Sequence, residues 1–229
     1  MDREIKRQVV EHLAQFITPS RKEKIDAALN DRTRYIVPVL EDIYQPHNIS
    51  ASLRSIECFG IQDVYVIEQQ NRYTVNTGVS KGASNWVNLN KFSTPDRNNT
   101  EDCFNKLRSQ GYKIAVTAPD SKSRKLSALP LDQKVALVFG TEERGVSLYA
   151  QDHADMSVTI PMYGFTESFN VSVCVALCFY ELTTRLRASP INWHLSEDEK
   201  LEVKLAWLRM LVRGSEFLEK EFRSALLHM

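Results

Sequence analysis

Val135-Ala136-Leu137-Val138-Phe139-Gly140-Thr141-Glu142-Glu143-Arg144-Gly145 runs from five apolar residues straight into a polar turn bounded by two glycines. A short apolar run without alternation is the pattern of a strand covered on both faces, as in a parallel sheet. Similar runs recur outward from it at residues 35–40, 64–68, 86–89, 113–117 and 157–160, with helical patterns between them, as at 51–59 and 100–110. Strands separated by helices predict a mainly parallel α/β sheet, whose ligands sit beyond the carboxyl ends of the strands. Pro38, inside the first run, counts against a fully paired central strand there because it has no amide to donate.

The flanks read differently. Residues 2–16 place Val9, Val10, Leu13 and Phe16 on one helical face, and a second short helix follows Thr18-Pro19-Ser20 to Leu29. Beyond residue 190 only helical patterns remain, over 196–226, with Ser196 and Glu199 set as a capping box and Trp193, Trp207, Leu211 and Phe217 as apolar anchors.

The 229 residues are 43% hydrophobic and 25% charged, the balance of a globular protein with a sizeable core. The polar start and the lack of any long apolar run predict a cytoplasmic protein with no membrane span. Twenty-nine basic residues offset 29 acidic ones, which excludes a globally cationic nucleic-acid binder and confines RNA contact to local patches. Two such patches are Ser121-Lys122-Ser123-Arg124-Lys125 and the group Arg21, Lys22, Lys24, Arg32 and Arg34. The four cysteines have no zinc spacing, so no metal is expected, and Cys174 and Cys178 read as small core residues.

Several chemistries are excluded by motif. No Gly-x-Gly-x-x-Gly follows the first strand, and Val146 stands where a phosphate-binding loop needs its lysine. There is no Gly-x-Ser-x-Gly elbow and no His-Glu-x-x-His helix. Instead, two further segments repeat the arrangement at Phe139–Gly145, with a polar group where a buried strand meets a turn or helix. They are Asn48-Ile49-Ser50-Ala51-Ser52-Leu53-Arg54, and Ile160-Pro161-Met162-Tyr163-Gly164 running into Glu167-Ser168-Phe169-Asn170-Val171-Ser172-Val173.

In this order and at these separations the three segments resemble the signature motifs of the SPOUT methyltransferases, enzymes with a deep trefoil knot that move a methyl group from S-adenosylmethionine to RNA. The likeness extends to Arg32-Thr33-Arg34-Tyr35, Val39-Leu40-Glu41-Asp42, Pro46-His47-Asn48 and Gly82-Ala83-Ser84-Asn85-Trp86, which resemble the branch that methylates a guanosine ribose in the tRNA D-loop. The tail departs from that branch in being acidic around Glu197, Asp198 and Glu199.

The resemblance implies an α/β fold with a mainly parallel sheet, helices on both faces and a C-terminal deep trefoil knot. Residues 33–189 would be the catalytic domain, between helical extensions at 1–32 and 190–229. It also implies a homodimer with the helices after Asn48 and Asn170 near the interface, S-adenosylmethionine as cofactor, and tRNA as partner, modified at the 2′-oxygen of the guanosine at position 18. Ribosomal RNA, the tRNA anticodon loop, or a non-catalytic RNA scaffold are the alternatives. Catalytic roles fall on Asn48, Arg54, Glu142, Ser168 and Asn170, and donor contacts on Thr117, Gly140, Ile160, Met162 and Phe169.

Each residue also has a structural role open to it. Gly140 and Gly164 suit turns, Ile160 and Phe169 suit a core, and Asn48, Ser168 and Asn170 suit helix N-caps. As a ligand residue, Gly140 would admit close approach of the donor to bare backbone, with Ile160, Met162 and Phe169 sandwiching the adenine. Arg54 would hold phosphate bidentately and stabilise an incipient alkoxide, since a guanidinium rarely gives up its proton. Glu142 would hold Arg54 or the substrate ribose.

Overall fold

The computed structural model describes residues 1–70, 82–119 and 123–226; Ser121 and Lys122 of the central basic run lie outside the described residues. The chain divides into two compact units, Thr33–Trp193 and the pair of end segments Met1–Arg32 and His194–Met229.

In the larger unit the strands are β1 (Ile36–Glu41), β2 (Asp63–Ile67), β3 (Asn88–Phe92), β4 (Tyr112–Thr117), β5 (Arg124–Lys125), β6 (Lys134–Phe139) and β7 (Met156–Thr159). They form one sheet in the order β3-β2-β1-β6-β4-β7-β5, with every neighbouring pair parallel. The helices of this unit are α3 (Pro46–Cys58), α4 (Asn99–Ser109), α5 (Leu148–His153) and α6 (Val171–Arg187). The end segments contribute α1 (Arg3–Leu13), α2 (Pro19–Asn30), α7 (Glu197–Leu211) and α8 (Ser215–Leu226).

Both faces of the sheet are covered, which is why its strands read as unbroken apolar runs. Ile36, Leu40, Leu137 and Phe139 turn to a core that Leu53 and Ile56 of α3 share with Val175 and Phe179 of α6. The alternate residues Val37, Val39, Ala136 and Val138 pack with Cys103, Phe104 and Leu107 of α4 and Ala150 of α5.

The structure corrects several details of the sequence reading. β1 is a central strand despite Pro38, paired to both β2 and β6. The Val135 N–H donates to the Tyr35 carbonyl, so odd-numbered residues of β1 bond β6 and even-numbered ones face β2. Pro38 thus turns its missing amide toward β2, where the ladder starts only at Val39. The third strand begins later than its apolar residues suggest, because Ala83–Asn85 make a 3-10 turn that Trp86 closes with an N–H to the Ala83 carbonyl. α3 begins at Pro46, five residues before the predicted Ala51, because proline is already set for a first helical turn. Asn48 therefore lies inside the helix, not at its cap. Within the central basic run, Arg124–Lys125 form an exposed edge strand beside β7.

The N-terminal patch also loses members. Arg32 is buried, its guanidinium 5.2 Å from the centre of the Trp207 ring, and Arg34 pairs with Asp63 at 2.9 Å. Within the end-segment unit, α1 packs against α7 and α8. Ser196 and Glu199 form the predicted capping box, while Gly214, at φ 73°, lies in the break between α7 and α8. Phe217 is exposed and anchors nothing in this unit, unlike Trp207. No helix among the described residues is long and apolar enough to cross a membrane.

Candidate functional site

In a parallel sheet the loops leaving β1, β4, β6 and β7 collect at one end. At that end lies a cavity of about 530 Å³, within the size range of small-molecule sites. Its apolar walls come from Leu126, Phe139, Val158, Ile160, Met162 and Phe169, and its polar rim from the loop Gly140–Val146 and from Glu167 and Ser168. Thr117, Gly140, Ile160, Met162 and Phe169, the five predicted donor contacts, all line it, as do Glu142 and Ser168.

Gly140 owes its identity to its own chain. The loop after β6 doubles back, with the Thr141 N–H donating to the Gly145 carbonyl at 3.0 Å and the reverse bond at 2.9 Å. A Cβ on Gly140 would lie 2.0 Å from that Gly145 oxygen. The close approach that already requires glycine here is backbone on backbone. Thr117 is likewise engaged within the sheet, its hydroxyl donating to the Val138 carbonyl at 3.0 Å.

Beside the cavity, three predicted residues far apart in sequence converge. Glu142 Oε1 accepts from Asn48 Nδ2 at 3.2 Å, from Asn170 Nδ2, and from the Val171 N–H at 3.2 Å. Asn170 Nδ2 also donates to Asn48 Oδ1 at 3.1 Å. Asn170 is the N-cap of α6, its Oδ1 accepting the Ser172 N–H at 3.0 Å, so the carboxylate is held where the helix dipole favours a negative charge. Gln45, which the sequence reading passed over, fixes Asn48 from behind by accepting Nδ2 at 2.6 Å. Glu142 Oε2 accepts no hydrogen bond among the described residues.

Arg54 is not part of this cluster. It is exposed on α3, does not line the cavity, and makes no hydrogen bond or ion pair among the described residues.

Other contributors were also missed. Arg144 lines the cavity from within a quoted motif, yet nothing in its spacing marked it. Cys178 lies in the core and Cys174 packs against it, as expected, and both also line the cavity. The hydrogen bond between their thiols lowers the pKa of Cys174 and, with burial, raises that of Cys178. Behind the loop, buried Glu41 at the end of β1 accepts the hydroxyls of Thr100 at 2.7 Å and Ser147 at 2.8 Å on Oε1, and the Ser147 N–H at 2.8 Å on Oε2. The two bonds from Ser147 tie the end of the loop after β6 to the sheet, and the Thr100 bond ties α4 to it. The described residues hold no group of three or more His, Cys, Asp or Glu side chains placed for a metal ion.

The cavity suits S-adenosylmethionine. Its walls match a flat apolar base, and a rim of exposed backbone and carboxylates matches a polar, cationic remainder.

Comparison with known proteins agrees with this arrangement. Residues 35–180 match the SpoU rRNA Methylase family. The tRNA (guanosine(18)-2′-O)-methyltransferase of Borreliella burgdorferi is 43% identical over 93% of this chain and 95% of its own length. The TrmH/SpoU tRNA-modifying enzyme of Aquifex aeolicus superposes with a TM-score of 0.73 at 24% identity, over 85% of this chain and 98% of that one. The SpoU methyltransferase AviRb of Streptomyces viridochromogenes, solved in complex with AdoMet, shares the fold at a TM-score of 0.54 and 20% identity, over 71% of this chain and 62% of that one.

Proposed function

Because the chain belongs to the SpoU methylase family, we propose that it is an S-adenosylmethionine-dependent tRNA methyltransferase acting on the 2′-oxygen of the D-loop guanosine at position 18. The name and near-complete coverage of the Borreliella burgdorferi relative support the substrate. The observation that carries the chemistry is the Asn48–Glu142–Asn170 cluster standing beside an apolar cavity.

When bound, the donor supplies a methyl group on a sulfonium already activated for displacement. The protein's task is then alignment and charge stabilisation. Ile160, Met162 and Phe169 hold the adenine between apolar surfaces, and the backbone of the Gly140 loop meets its polar edge. Asn48 and Asn170 clamp Glu142 through one oxygen, so the other is fixed to accept a ribose hydroxyl. Ser168, on the same rim, adds a second hydroxyl contact. Arg54 binds the RNA phosphate as a bidentate fork and offsets negative charge building on the 2′-oxygen.

Arg54 reaches a reacting ribose only if another chain brings one to it, and this reading therefore includes a homodimer. α6 presents Val173, Leu177 and Tyr180 to solvent at the i, i+4, i+7 spacing of one helical face, and α3 packs beside it. A second copy docked there covers the apolar stripe and sets Arg54 against its partner's cavity. Residues 33–189 form the catalytic domain in this reading, with a threaded C-terminal segment, and the helical ends form extensions.

Bulk tRNA lacking the modification, incubated with the protein and donor and then digested to nucleosides, is expected to yield 2′-O-methylguanosine mapping to the D-loop. Methylation confined to ribosomal RNA or to the anticodon loop would refute the substrate. A concentration series in analytical ultracentrifugation showing only monomer would refute the dimer.

A further inference from the structure

Phe165 and Tyr163 are the two most exposed large hydrophobic side chains among the described residues, at 108% and 93%. They flank Gly164 in a loop whose neighbours on either side, Met162 and Glu167, both line the cavity. Two aromatic rings standing almost wholly in water at the mouth of a cavity forgo the burial that packing would give them, and exposure of this kind marks a binding surface. A second feature lies on the same cavity. Arg144 is exposed, and its guanidinium makes no hydrogen bond or ion pair among the described residues; only its backbone N–H is engaged, donating to Thr141 Oγ1 at 3.1 Å.

Flat apolar rings and a free cation at one rim are complementary to a nucleotide, which offers a π-face and a phosphate. We propose that Tyr163 and Phe165 are stacking platforms for the unpaired bases beside the reactive ribose, and that Arg144 holds an adjoining phosphate. The inference rests on the RNA reading above and extends it to specificity. RNA loops are read in this way because their bases are already unstacked and every base has a π-face. A second copy of the chain is the less fitting occupant: the apolar stripe on α6 already offers it a helical face, and an unpaired arginine would gain nothing from aliphatic neighbours.

The test separates stacking from folding, from donor binding and from dimer contacts. Tyr163→Ala and Phe165→Ala are each expected to raise the KM for tRNA about tenfold, the scale of one lost base stack. The kcat, S-adenosylmethionine affinity by calorimetry and sedimentation coefficient are expected to hold. Tyr163→Trp and Phe165→Trp restore the KM. Arg144→Ala weakens tRNA binding and lowers its salt dependence by about one phosphate contact.

An unchanged KM in both alanine variants would overturn the proposal. So would lost donor affinity, which would make the rings supports of the cavity, or dissociation to monomer, which would assign them to the interface between copies. The wild-type chain failing to methylate any tRNA would refute the proposed activity instead. Stacking is then judged without catalysis, by the fluorescence of 2-aminopurine in an unpaired oligoribonucleotide, which the wild-type chain quenches and the double alanine variant does not.

Discussion

Gly140→Ala separates two reasons for a glycine after β6. If glycine is there to admit the donor, the variant folds normally and loses only affinity. The structure predicts the reverse order of effects. The new methyl would sit 2.0 Å from the Gly145 oxygen and 2.2 Å from the Val146 nitrogen, both backbone atoms with no rotamer to escape into. The doubled-back loop has to open, breaking the two Thr141–Gly145 hydrogen bonds. At about 1 kcal/mol net each, these cost about 2 kcal/mol before any strain on the following turn is counted. A domain of this size loses about 2–4 °C in Tm per kcal/mol, so the donor-free variant is expected to melt about 4–8 °C lower. Donor affinity then falls as a consequence. Differential scanning calorimetry with and without S-adenosylmethionine reads both effects. A donor-free Tm within about 1 °C of wild type, together with lost donor binding, would refute the reasoning.

Further outcomes follow from other contacts. Glu41→Ala leaves two hydroxyls and the Ser147 N–H without their buried acceptor and is expected to cost about 3 kcal/mol in urea unfolding; Glu41→Gln, which keeps Oε1, should cost about half as much. A loss under about 1 kcal/mol in the alanine variant would show the carboxylate to be dispensable. Arg54→Ala should retain donor affinity by calorimetry yet lose at least about two orders of magnitude in kcat, the scale of a missing transition-state charge partner; near-normal turnover would remove Arg54 from the mechanism. In the end-segment unit, hydrogen bonds from Arg209 hold the Glu219 carboxyl below its ordinary pKa, with Arg209 and Arg223 charges adding to the effect. A depressed folded-state pKa stabilises above the unfolded value of about 4.3 and is lost as pH falls through the folded value. The Tm gap between wild type and Glu219→Gln should thus be open at neutral pH and close under acid conditions; a gap that widens on acidification would contradict this sign.

Much of this was legible in the chain because local chemistry decided it. Runs such as Val135–Phe139 read as strands because both sheet faces are buried, and Ser196 with Glu199 announced a helix start because two backbone donors there need acceptors. What escaped depends on long-range placement. The bond from Asn48 to Glu142 spans 94 residues, and no spacing rule reports it. Pro38 misled because its harm depends on which neighbour its missing amide faces, and that depends on register. Gly140 has a structural reason that its motif does not show, since the partner that forbids a side chain is a turn five residues downstream. Arg54 was noted from its motif, while its separation from the cavity became visible only in three dimensions.

The strand order has a consequence for how the molecule is made. β6 lies between β1 and β4, both of which leave the ribosome first, so the nascent chain carries two unmatched hydrogen-bonding edges until residues 134–139 arrive to bridge them. Assembly must therefore wait for a late, distant segment, which favours slow refolding and a window for intermolecular pairing at micromolar concentration. The segment that closes this gap leads straight into Gly140, yet the ligand pocket is complete only after β7 has joined β4 and β5 and the chain from Val158 to Cys178 has closed over it.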